Sequence, residues 1–207
     1  MNKVEVTTLS EMEKKGFERP YVETYSGKRI FFDDFKVEDV TIIDIAHSLS
    51  HICRFTGHTK EFYSVAQHSV LVSDHQPTLA EKRAGLLHDA TEAYLNDLAS
   101  PLKAYIKLDG YKAVEDYFHD IINSKYHVNN GMTPNIKKAD LEALFTEKRD
   151  VTNNPHTDWG WGDEIIRWEE TIIPLAPKQA KLLFLKRFVE LFPEESKAEG
   201  INDINRY

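Results

Sequence analysis

The stretch Leu86-Leu87-His88-Asp89-Ala90-Thr91-Glu92-Ala93-Tyr94-Leu95-Asn96-Asp97 decides how the rest of this chain is read. It starts as an apolar helical face and then sets His88, Asp89, Glu92 and Asp97 into or just behind that face. On a helix predicted over 79–93, Glu92 lies one turn from both His88 and Asp89. An imidazole, an adjacent carboxylate and a further carboxylate one turn on combine metal-ligand and general-base chemistry on one local scaffold.

Working outward, Ser64-Val65-Ala66-Gln67-His68-Ser69-Val70-Leu71-Val72 places His68 inside a second apolar helix. Lys137-Lys138-Ala139-Asp140-Leu141-Glu142-Ala143-Leu144 carries Asp140 on a third. If these helices pack together, His68, His88, Asp89 and Asp140 form a mixed nitrogen and oxygen set suited to one divalent metal ion, with Mn, Co, Mg, Fe and Zn all admissible. Taken singly, His68 also reads as a packed core histidine and Asp140 as a solvated helix residue. Spacing alone therefore leaves the metal and structural readings open.

The same helical period runs through most of the chain. Ile42, Ile45, Ala46, Leu49 and Cys53 recur at three- and four-residue intervals. Further helices are predicted over 64–73, 110–125, 135–151 and 177–191, with Pro101, Pro134, Pro174 and Pro177 near the boundaries. Ahead of them, Tyr21 to Asp33 sets two β-prone runs around Ser26-Gly27, the composition of a hairpin. The expectation is an all-α domain, a helical bundle with a small N-terminal β-hairpin. It divides into an extension over 1–20, the hairpin over 21–34, a helical core over 41–192 and a polar tail over 193–207. The segment 152–162 reads as a long loop that Trp159 and Trp161 pack down. Leu182, Leu183, Phe184, Phe188 and Leu191 form a stripe that suits the core or a homodimer face.

A length of 207 residues suits one substantial domain, and 41% apolar with 29% charged residues is ordinary globular composition. The net charge of −8 argues against a nucleic-acid polymer as partner, because such binding draws on clustered Lys and Arg. A small anionic substrate remains compatible, since a metal, an Arg and a Lys can supply positive charge locally. The single cysteine, Cys53, excludes an internal disulfide and the multi-cysteine zinc motifs. A charged amino terminus, and the absence of about 18 consecutive apolar residues, make the expected location cytoplasmic with no membrane partner.

The order of a His, a distant His-Asp pair and a distant Asp resembles the HD-domain metal-dependent phosphohydrolase superfamily. The likeness extends to its 5′-deoxynucleotidase branch through Arg54-Phe55, Val65-Ala66-Gln67-His68-Ser69, His88-Asp89-Ala90-Thr91-Glu92, Asp97 and Asp140. An even closer likeness, over roughly 21–191, is to a YfdR-like prophage-associated group, in Cys53-Arg54-Phe55-Thr56-Gly57-His58, Phe62 to His68, Asp89 to Tyr94 and Ile173 to Pro177. The branch departs from this chain where Phe55 replaces one member of its usual Arg-Trp pair and where Gly57-His58 is added.

The resemblance implies an HD-domain bundle holding one divalent metal ion through His68, His88, Asp89 and Asp140. Glu92 and Asp97 would position the nucleophilic water and handle its proton. Arg54 and Lys103 are candidate phosphate contacts, Phe55 offers an aromatic face to a base, and His58 is a further substrate candidate. The expected activity is that of a 5′-nucleotidase releasing phosphate from (deoxy)nucleoside monophosphates. The alternatives are a (deoxy)nucleoside-triphosphate hydrolase and a non-catalytic nucleotide-binding regulator. His47 and His51, four apart, have the spacing of a metal clip but lack an acidic partner and read as structural. Glu147, Arg149 and Asp150 read as local ion pairs without a catalytic role.

Overall fold

Small polar residues open several of the helices through their side-chain oxygens. In the computed structural model, which describes residues 19–106, 109–128, 131–160, 165–201 and 204, the Thr41 side chain accepts from the Asp44 amide at the start of α1 (Ile42–His51). Ser64 caps α2 (Val65–Asp74) and Thr78 caps α3 (Leu79–Leu87) in the same manner. The chain continues through α4 (Glu92–Leu95), α5 (Ser100–Ile106), α6 (Asp109–Lys125), α7 (Pro134–Val151), α8 (Pro177–Leu191) and α9 (Pro193–Ala198). Thr133 caps α7 with Pro134 in its first turn, where the missing N–H costs nothing. The expected hairpin is present as β1 (Val22–Glu23) and β2 (Arg29–Ile30), antiparallel with Val22 opposite Ile30. Gly27 turns it at φ +83°, and Asp44 accepts from both the amide and the hydroxyl of Ser26, pinning the turn to α1. Trp161 and residues 1–18, the bulk of the expected N-terminal extension, lie outside the described residues.

Helix α8 forms the floor on which α1, α2 and α3 pack. Its Phe184 and Phe188 are fully buried with Ile42, Ile45, Ala46 and Leu49 of α1, so the stripe weighed between core and dimer face supplies core here. Helices α2 and α3 approach closely at Gly85, where a Cβ would stand 3.2 Å from the Ser73 Cα and from Gln76 Cγ. Among the described residues no helix is long and apolar enough to cross a membrane.

Two local expectations change. The helix predicted over 79–93 stops at Leu87, because the His88 ring nitrogen Nδ1 takes the Gly85 carbonyl at 2.7 Å. A continuing helix would give that carbonyl to the amide of Asp89. The chain then tightens into i to i+3 bonds, Ala90 to Leu87 and Glu92 to Asp89, both 3.0 Å. In such a turn residues three apart eclipse, which sets Glu92 over Asp89.

The second change concerns the polar tail. The segment 193–201 is anchored to the core at a few points: Ser196 and Ile201 are buried, the Glu199 carboxylate accepts from the Ile42 amide at 2.9 Å, and its other oxygen accepts from the Tyr126 hydroxyl at 2.8 Å. Glu199→Ala removes an amide cap and leaves a buried hydroxyl unpaired, so it is expected to cost about 1–3 kcal/mol. Thermal unfolding by circular dichroism should show the lowered midpoint; an unchanged midpoint would mean that this segment adds nothing to the fold.

Candidate metal centre

The close approach at Gly85 matters because His88 follows three residues later and faces His68 in the middle of α2. The two rings are 5.2 Å apart, centroid to centroid. Asp89 stands between them: its Oδ2 is 3.1 Å from His88 Nε2 and 3.6 Å from His68 Nε2. His68, His88 and Asp89 offer ligand atoms that all lie within 4.8 Å of one another. Asp140, on α7, brings Oδ1 to 3.1 Å from His68 Nε2 with its side chain 42% exposed, on the open side of the group.

Both Nε2 atoms are buried and lack an aligned hydrogen bond, although carboxylate oxygens stand at contact distance. The opposite nitrogens are engaged, His88 Nδ1 with the Gly85 carbonyl and His68 Nδ1 with Glu147 Oε1 at 2.6 Å. With a proton on each Nδ1, two Nε2 lone pairs and a carboxylate converge on one point. Ligand atoms about 2.1 Å from a divalent ion lie roughly 3.0–3.4 Å from each other in octahedral or tetrahedral arrangements, close to the spacing seen. These residues therefore fit a divalent cation.

The electrostatics agree with the geometry. Burial and Arg54 both oppose protonation of His68, yet Glu147 and Asp140 outweigh them and push its pKa up to about 10. Burial likewise opposes protonation of His88, and Asp89 overcomes it. A potential that holds protons on buried imidazoles favours a metal cation in the same place. At a hundredfold excess over its dissociation constant, such an ion stabilises the fold by about 2.7 kcal/mol. For a chain of this length that corresponds to a rise in melting temperature of roughly 5–10 °C. A thermal shift titration with Mn, Co, Mg, Fe and Zn salts, reversed by chelator, measures it; a melting point indifferent to all five would remove the centre.

The carboxylates after the turn face the same region. Glu92 is 8% exposed and its Oε2 has no hydrogen-bond partner among the described residues. Burial, then Asp89 and Asp97, push its carboxyl well above the usual range. Asp97 is half-buried, and its carboxyl is also raised, by burial first, with Arg54 opposing. Asn96, just before it, has φ +68° and ψ 158°, a region costly for a residue with a side chain. This sharp bend redirects the chain at Asp97.

The remaining candidates are placed unequally. Arg54 lies at the edge of the cluster, with Nη1 3.9 Å from Asp89 Oδ2. Phe55, at φ +55°, packs beside Tyr63, Val151 and Ile172, with its ring centroid 6.4 Å from that of Trp159. Lys103 is paired with Glu115 at 3.0 Å and sits over the Tyr111 ring. His58 is exposed, and no described contact ties its ring to the cluster. His47 stacks on Tyr25 of the hairpin turn and His51 stacks on His47, neither joining the ligand group.

Glu147 corrects the reading of α7 as a row of local ion pairs. It is fully buried and reaches Arg54, Tyr63 and His68, none of them on its own helix. Arg149 and Asp150 do pair with each other, and they also tether the following loop through the Trp168 and Glu170 carbonyls and the Ile172 amide. A signal for Glu147 was present: it follows Asp140 by seven residues, two helical turns, and so shares its face. Tyr63 carried no comparable signal.

No family model matches the chain. It is 34% identical over 129 residues to an uncharacterized protein of Rhodobacter capsulatus, across 58% of this chain and 65% of that one. It is 42% identical over 172 residues to Uncharacterized protein YfdR of Escherichia coli (strain K12), a match that spans 83% of this chain and 95% of that protein and includes the turn, His68, Arg54 and Glu147 regions described above. With likeness of that strength over nearly the full length of the relative, the chain belongs to the YfdR family.

Proposed function

We propose that this protein is a metal-dependent phosphohydrolase of the HD-domain type, acting as a 5′-nucleotidase that releases phosphate from (deoxy)nucleoside monophosphates. The observation that carries the reading is the convergence of two buried Nε2 atoms and the Asp89 carboxylate, each ring held from its far nitrogen. A divalent cation held by His68, His88, Asp89 and Asp140 supplies polarisation of a phosphoryl oxygen and acidification of water. The chain supplies the rest. Arg54 presents a guanidinium edge next to Asp89, suited to paired phosphate oxygens. Glu92, buried and with a raised carboxyl pKa, takes and returns a proton at its unpartnered Oε2. Asp97, close enough to feel Asp89 and Arg54, orients the water. Phe55 and Trp159 offer aromatic faces near Arg54 for a base.

The test is incubation of the purified protein with deoxynucleoside mono- and triphosphate panels under each of the five metals, with the phosphate species identified by ³¹P NMR. Orthophosphate and nucleoside from monophosphates are expected. Inorganic triphosphate or pyrophosphate would transfer the reading to a triphosphate hydrolase. Nucleotide binding without turnover under every metal would make the protein a regulator.

A further inference from the structure

We infer that Glu147 is a positioning residue that sets both the metal-facing ring of His68 and the anion-facing guanidinium of Arg54 with one carboxylate, each arm held by its own oxygen. The inference rests on the metal reading above and adds a residue and a coupling to it.

Glu147 is fully buried and its two oxygens are divided between the two arms. Oε1 receives His68 Nδ1 at 2.6 Å and the Tyr63 hydroxyl at 3.0 Å. Oε2 receives Arg54 Nε at 3.0 Å and Nη2 at 2.9 Å. A carboxylate accepts at roughly four lone-pair sites and has no donor, so this group is used to capacity. Each half has a consequence. With the Nδ1 proton directed at Glu147, the Nε2 lone pair of His68 faces Asp89 and Asp140, the arrangement by which an outer carboxylate fixes the tautomer of a ligating histidine. With Nε and Nη2 of Arg54 occupied, Nη1 is the edge turned toward Asp89.

The backbone reinforces the union. The Arg54 amide donates to the Tyr63 carbonyl at 2.8 Å, and Cys53 bridges Ser64, the cap of the helix that carries His68. Arg54 and His68 are thus held by one short antiparallel contact below and one carboxylate above. A shift of Glu147 by one methylene length moves both.

An amide of the same shape discriminates this role from simple packing, because Glu147→Gln accepts on one side only and turns N–H donors toward the other. It must therefore lose the His68 arm or the Arg54 arm. Glu147→Asp keeps the charge but draws the carboxylate back, and is expected to lose reach to one arm as well. Calorimetry gives Mn²⁺ affinity on the metal-free protein and inorganic phosphate affinity on the Mn²⁺-loaded protein, with circular dichroism as the check on folding.

Each Glu147 variant is expected to lose about 10- to 100-fold in at least one of the two affinities. Tyr63→Phe, which removes a donor belonging to neither arm, should stay within about threefold in both. Any loss of phosphate affinity in Glu147→Gln should vanish in an Arg54→Ala background. Wild-type protein with ¹⁵N-labelled histidine and loaded with Zn²⁺ should show the His68 proton on Nδ1, a readout that requires no variant to fold. A proton on Nε2 overturns the inference, as do folded Glu147 variants with both affinities within threefold of wild type. Failure of the wild type to bind Mn²⁺ defeats the metal reading itself and takes this inference with it, whereas intact Mn²⁺ binding with indifferent variants defeats the inference alone.

Discussion

Asp89→Asn is expected to lower Mn²⁺ affinity by at least about 10²-fold, with turnover lost in parallel. The loss of an outer-shell partner typically costs 10–100-fold, and in the proposed metal centre Asp89 is a direct ligand. Its Oδ2 is the atom common to the whole group, 3.1 Å from His88 Nε2, 3.6 Å from His68 Nε2 and 3.9 Å from Arg54 Nη1. Burial alone would raise its carboxyl, but His88, then His68 and Arg54, hold it ionised well below the ordinary carboxylate range. Asparagine preserves the shape and removes the charge toward which the imidazoles and the guanidinium are all directed. Calorimetric titration of the metal-free variant measures the effect. Affinity retained within threefold in a folded Asp89→Asn protein would place the ion elsewhere.

Glu92→Gln should separate chemistry from binding: turnover falls by about 10²–10⁴-fold, the usual contribution of a positioned acid or base, while Mn²⁺ affinity changes by less than about tenfold. The reason lies in its surroundings. Glu92 caps no helix, its Oε2 is buried without a partner, and two other carboxylates lie close enough to raise its pKa. A carboxyl group in that position holds its proton more readily than an ordinary glutamate, as burial and the neighbouring carboxylates require, and such a shift marks a candidate acid or base. Steady-state kinetics on the preferred monophosphate, with metal affinity measured on the same preparation, tests the split. Equal losses in both quantities would make Glu92 part of the metal's support, and unchanged turnover would remove it from the reaction.

These two substitutions fall in a segment whose importance was legible from residues alone, yet its geometry was not. The His-Asp-x-x-Glu crowding on an apolar face marked the site, and the periods of α1, α2, α7 and α8 marked the helices that surround it. The predicted continuous helix through Glu92 failed because the imidazole of His88 takes a carbonyl that helix propagation would use. Propensity cannot register that competition, since it depends on the rotamer that the ring adopts once α2 is packed against α3. The anchored segment after Pro193 was missed for a related reason. Its residues are polar, and Glu199 becomes structural only because the amide of Ile42 and the hydroxyl of Tyr126 are brought beside it.

Glu147 marks the boundary most clearly. Helical periodicity and the spacing of neighbouring polar groups are local properties, written within one or two turns, and they sufficed to give the mainly helical architecture and the hairpin and to nominate His68, His88, Asp89 and Asp140 as candidates; the fold then gathers His68, His88 and Asp89 into one group, with Asp140 beside His68. Which donors a buried charge meets is a long-range property. Glu147 has Lys and Arg neighbours on its own helix, but its partners come from 79, 84 and 93 residues away. Burial excludes the water that would otherwise satisfy the carboxylate, so packing must supply those partners, and the choice among them belongs to the folded chain as a whole.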